Sequence, residues 1–95
     1  MKEITTIQGA WSDEANGWVS EILELTGDAW LEVELPAKGR LVIKKAESID
    51  GPWPKALITK WAGPKFRIRI YGSTEHRYIK VVTTDTPITI KIANI

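Results

Sequence analysis

Two runs in this chain alternate apolar and charged side chains without a break. Lys65-Phe66-Arg67-Ile68-Arg69-Ile70 sets Phe66, Ile68 and Ile70 on one side and three cations on the other. Trp30-Leu31-Glu32-Val33-Glu34-Leu35 sets Leu31, Val33 and Leu35 against Glu32 and Glu34. A period of two fits a strand with one buried face and no helix. Such strands need a second layer to cover their apolar side, so the pattern points to packed antiparallel sheets.

The rest of the chain reads the same way. Pro36 and Lys38-Gly39 end the second run, and the hairpin continues into Arg40-Leu41-Val42-Ile43-Lys44. Ala56 to Trp61 is a strand closed by Ala62-Gly63-Pro64, and Tyr78 to Thr83 is rich in β-branched residues. Ile88, Ile90 and Ile92 alternate near the C-terminus, after the turn Thr84-Asp85-Thr86-Pro87. Trp18 to Leu25 carries Trp18, Ile22 and Leu25 at helical spacing, but it is short and lies between Gly17 and Gly27. It is taken as a strand, with a helix as the alternative. The pattern predicts seven or eight strands at about ten-residue spacing, an antiparallel β-sandwich of immunoglobulin-like or jelly-roll type. The 95 residues form one domain, 1–95, with no linker or repeat.

The loop after residue 44 is unusual. Ala46-Glu47-Ser48-Ile49-Asp50-Gly51-Pro52-Trp53-Pro54-Lys55 stops a strand at Asp-Gly and sets a tryptophan between two prolines. A two-residue hairpin over Asp-Gly would need an N–H that Pro52 lacks. A turn over Ser48-Ile49-Asp50-Gly51 needs only the N–H of Gly51. The prolines then hold Gly51 and Trp53 extended and present Trp53 rigidly.

Composition narrows the chemistry. There is no cysteine, so disulfides, thiolate metal sites and cysteine nucleophiles are excluded. No stretch approaches the roughly 18 apolar residues of a membrane span, and the first residues lack the apolar core of a signal peptide. A virion or the cytoplasm is the expected location. Net charge is +1, but the charges are segregated: residues 1–35 hold eight acids and one lysine, residues 38–80 eleven lysines or arginines and three acids. Either the two sets form opposite faces, or neighbouring strands pair them; cross-strand pairing is the ordinary use of such residues and is preferred.

Enzymatic constellations are missing, so no enzyme, catalytic residue, cofactor or metal is expected. His76 stands alone in Ser73-Thr74-Glu75-His76-Arg77, which reads as a polar turn, since a catalytic triad converges from separate elements. The five tryptophans at 11, 18, 30, 53 and 61 are the main lead. Most rings in a small β-domain are buried. Trp30, however, extends the outward row of Glu32 and Glu34, and an indole beside carboxylates suits the apolar face of a sugar. Trp53 is either a preorganised anchor or a plug over one end of the core. Trp61 is a further platform candidate. Arg67 and Arg69, with Lys65, Arg77, Lys80, Tyr71 and Tyr78, hint at a nucleic-acid surface. A pI near 8.0 and the alternation favour a solvated strand face instead.

The stretch Leu41 to Trp53, an apolar strand followed by Ser-x-Asp-Gly-x-Trp, resembles a pattern in small β-sandwich modules of bacteriophage virions and in some carbohydrate-binding jelly rolls. In the phage modules, strands like Phe66–Ile70 and Tyr78–Val81 follow. The resemblance implies a non-enzymatic structural or interaction module that docks on a larger assembly, such as a capsid decoration or tail accessory protein. A carbohydrate-binding module with a tryptophan platform is the alternative. The expected partner is a protein or a second copy, or else a glycan; nucleic acid and membrane are disfavoured. The binding candidates are Trp53, Trp30, Trp61, Arg67 and Arg69.

Overall fold

The computed structural model describes residues 4–51, 53, 56–72 and 77–94. Ten strands follow in order: β1 (Ile4–Thr6), β2 (Gly9–Ser12), β3 (Gly17–Ser20), β4 (Leu23–Glu24), β5 (Ala29–Glu34), β6 (Gly39–Ala46), β7 (Ala56–Ala62), β8 (Lys65–Ile70), β9 (Tyr78–Thr83) and β10 (Thr89–Asn94). They form a β-sandwich of two antiparallel sheets. One sheet has four strands in the order β1-β10-β5-β8; the other has six, in the order β2-β3-β9-β6-β7 with β4 also on β9.

The alternation sorts side chains as anticipated. Leu31, Val33, Phe66, Ile68, Ile70 and Ile90 come from the four-stranded sheet and are buried. They meet Trp18, Leu41, Ile43, Ile79 and Val81 of the six-stranded sheet in one core. Ile88 departs from the pattern and is 61% exposed. It precedes β10, and its N–H donates to the Glu34 carbonyl at 2.7 Å, fixing backbone rather than filling the core.

Three differences from the sequence expectation have physical causes. First, β5 and β6 are not a hairpin. β5 pairs with β8 and β10, whereas β6 pairs with β7 and β9, so the chain crosses between sheets around Pro36. A proline removes the N–H that a tight hairpin would use. The Leu35 N–H instead donates to the Pro64 carbonyl at 2.8 Å, tying this crossing to the one between β7 and β8.

Second, the run 18–25 is neither a helix nor one strand. β3 and β4 both lie on β9, at Trp18↔Thr83 and Val19↔Val82, then at Leu23↔Ile79 and Glu24↔Tyr78. The interruption pushes Ile22 outward to 39% exposure while Trp18 and Leu25 remain buried, which explains the helix-like spacing. The buried Ser20 hydroxyl fills the gap: it accepts the Val81 N–H at 2.7 Å and donates to the Glu21 carbonyl at 2.8 Å. With β1 and β2, which no alternation announced, this split raises the described strands to ten.

Third, the loop after β6 turns where predicted but not quite as predicted. The Gly51 N–H donates to the Ser48 carbonyl at 2.9 Å, closing the four-residue turn. Gly51 has φ +88° rather than an extended conformation. Without a Cβ it tolerates that region and escapes the usual restriction on a residue before proline. Pro52, Pro54 and Lys55 lie outside the described residues, so the clamp itself is not observed.

Candidate functional site

Registered partners on adjacent strands share a face, which assigns every outward side chain. On the four-stranded sheet, Trp30, Glu32 and Glu34 of β5 stand opposite Arg69, Arg67 and Lys65 of β8, and opposite Ala93, Lys91 and Thr89 of β10. Acid therefore faces cation. Glu32 lies 3.6 Å from Arg67 and 3.9 Å from Lys91. Arg69 reaches Asp28 at 3.2 Å, and Arg77 reaches Glu24 at 3.3 Å. Here the acids of the first stretch meet arginines of the basic stretch, the pairing preferred from the sequence, though only part of the basic stretch takes part.

Trp30 lies under this network. The Arg67 guanidinium sits 4.5 Å from its ring centroid and Arg69 5.9 Å, with Arg69 also 5.0 Å from the Tyr71 ring. The indole is half-buried and one side is covered by cations. Beside it is a depression of about 230 Å³ bounded by Ile4, Ala93, Glu32 and Lys91. At one end the Asp28 carboxylate accepts the Gly72 N–H at 2.9 Å. That bond, followed by Arg69, holds the Asp28 carboxyl below its ordinary value. A Cβ on Gly72 would come within 2.7 Å of the Gly27 carbonyl carbon, so only glycine permits this approach.

The outer face of the six-stranded sheet is built differently. Ala10, Val19, Val82, Val42 and Thr59 form one registered row across all five strands of the ladder. Ala10 and Thr59 are exposed, and the three valines are half-buried with no layer above them among the described residues. Next along β6, Arg40 is registered with Trp61 of β7, a residue 63% exposed. On the other side of the row, Lys44 is registered with Lys80. The Lys80 ammonium lies 4.8 Å from the Trp53 ring centroid. Partial burial, then the charge of Lys44, pushes the Lys80 amine below its ordinary value. Among the described residues no carboxylate comes within 4.0 Å of Arg40, Lys44 or Lys80; the ion pairs are elsewhere.

The five candidate residues thus fall into two groups. Trp30, Arg67 and Arg69 gather on the four-stranded sheet, while Trp53 and Trp61 flank the valine row of the other. The basic set suggested for nucleic acid is divided: Lys65, Arg67 and Arg69 face one way, Lys80 the other, and Arg77 is paired with Glu24. Of the tryptophans only Trp18 is buried, at 5% exposure; Trp11 is 51% exposed on the edge strand β2. Sequence reasoning passed over Val19, Val42, Val82, Lys44 and Arg40. The signal for Val42 and Val82 was the unbroken apolar run in Leu41-Val42-Ile43 and Val81-Val82, which puts an apolar side chain on the outer face as well as the inner one.

A further opening of about 400 Å³ lies at the seam between the sheets, where Gly9 rests against the Trp18 ring beside Ile88 and Thr89. Among the described residues no three Asp or Glu side chains gather as metal ligands would, and no helix is long and apolar enough to cross a membrane. His76 lies outside the described residues. No family model, curated protein or solved structure matches the chain.

Proposed function

We propose that the protein is a non-enzymatic interaction module that docks on a larger assembly through the outer face of its six-stranded sheet. One observation carries this reading: an apolar row of Ala10, Val19, Val82 and Val42 crosses four strands of the face between Trp53 and Trp61, and nothing among the described residues covers it. Fully solvated sheet faces are ordinarily polar, whereas docking surfaces combine an apolar centre with aromatic anchors. The resemblance of Leu41 to Trp53 to virion modules fits this role, with a decoration or tail accessory protein as its form and a virion or the cytoplasm as its place. Links that cross between the sheets, as at Pro36, support a sandwich of immunoglobulin-like or jelly-roll kind.

A glycan platform is the second reading, favoured by the open ring of Trp61. At Trp30 the Arg67 guanidinium already occupies the position a sugar would take on that side.

Site-specific photo-crosslinking in the native host tests the docking reading. A photoreactive residue replacing Val42 is expected to give one dominant macromolecular adduct, while the same residue replacing Glu34 gives none. Equal adducts from both faces, or none from Val42, would overturn it.

A further inference from the structure

Resting on that docking reading, we propose that the face receives an acidic protein surface with an apolar centre. The geometry sets the terms. Arg40 and Lys44 lie four residues apart on β6, about 13 Å at the usual strand rise. Trp61 stands beside the first, and Lys80 with Trp53 beside the second. Between them lie Val42 and Val82, with Val19 one strand further.

Among the described residues no carboxylate answers these cations, and Lys80 meets the Trp53 ring instead. On the opposite sheet each registered Glu–Arg or Glu–Lys pair offsets charge, but Lys44 and Lys80 oppose like with like, an arrangement that disfavours folding. Partial burial, and after it the charge of Lys44, lowers the Lys80 value. Incoming carboxylates at the two ends would neutralise all three cations, and apolar side chains between them would cover the valines.

Other occupants fit less well. A phosphate backbone carries closely spaced charge and asks for a continuous cationic track, whereas here valines fill the interval, and the whole chain is only +1. A second copy docked by a twofold axis through this face would set cations against cations.

The test is an array of short immobilised peptides, alternating leucine with glutamate, glutamine or lysine, probed with the full chain. The glutamate series should retain the protein. Retention should fall at least about tenfold as NaCl rises, because exposed charges are screened, and should be lost in the Lys44→Gln/Lys80→Gln double variant, whose fold is checked by circular dichroism. Equal retention by glutamate and glutamine peptides would overturn the acidic partner and leave the docking reading standing. Retention by the lysine series or by none would overturn both. Tighter binding of single-stranded oligothymidylate by fluorescence anisotropy would replace the proposal with a nucleic acid. A concentration-dependent dimer in light scattering, without peptide retention, would replace it with a second copy.

Discussion

The two outer faces of this sandwich come from the same residue types used in opposite ways. On the four-stranded sheet, Glu32 stands between Arg67 and Lys91, Asp28 meets Arg69, and Glu34 is registered with Lys65, so acid is set against cation. On the six-stranded sheet, Lys44 faces Lys80 and a row of valines lies open. The first face is complete in the isolated molecule. The second leaves like charges opposed and its valines uncovered among the described residues. Tryptophan shows the same contrast: Trp30 is capped by Arg67, while Trp61 is left bare.

The largest effect expected from breaking this contrast is at Ser20. Its hydroxyl replaces a missing ladder bond between β3 and β9 and so keeps Val19 in the open row. Ser20→Ala leaves the buried Val81 N–H without a partner, a cost of about 1–3 kcal/mol. A urea titration should show a lower midpoint; an unchanged one would mean the hydroxyl is not needed to join the strands. Next comes Glu32→Lys, which places three cations together on the closed face. Exposed pairs contribute about 0.2–1 kcal/mol each, so thermal unfolding should shift down by a few degrees at low salt and by less at high salt. No salt dependence would show that cross-strand pairing does not hold this face.

A smaller effect distinguishes Asp28. Its carboxyl is held below the ordinary 3.8 by the Gly72 N–H and Arg69. A lowered folded-state value means the stabilisation is present above pH 3.8 and is lost as pH falls through the folded value. The melting-temperature gap between the wild type and Asp28→Asn should therefore be open at neutral pH and close in strong acid. A gap independent of pH would remove the carboxylate from the account of this end of the sheet.

How much of this was legible depended on periodicity. Strict alternation in Lys65–Ile70 and Trp30–Leu35 revealed both the strands and their inward residues, since a period of two leaves one register for the core. The same alternation put Trp30 outward. It was silent on which sheet each strand joins: the crossing at Pro36 depends on the Leu35 N–H meeting Pro64, a contact between residues distant in sequence. It also misled at Trp18–Leu25, where a two-residue interruption imitates helical spacing. The outer face of the six-stranded sheet was hardest to see because its valines stand in unbroken apolar runs with core residues, which sequence alone cannot tell from deeper burial. Trp53 and Trp61 were recognised singly, but only the β6–β7 and β6–β9 registers bring them to one surface.

The smallest expected shift has the opposite sign and bears most directly on the claim that the charges of the six-stranded sheet are kept for a partner. Lys44→Glu turns the repulsive Lys44–Lys80 register into an attractive one and keeps the Lys80–Trp53 contact. The thermal unfolding midpoint of the isolated protein at low salt should rise, by a degree or several for about 0.2–1 kcal/mol. A fall in the midpoint would contradict the claim, because it would mean that the lysine pair serves the fold itself.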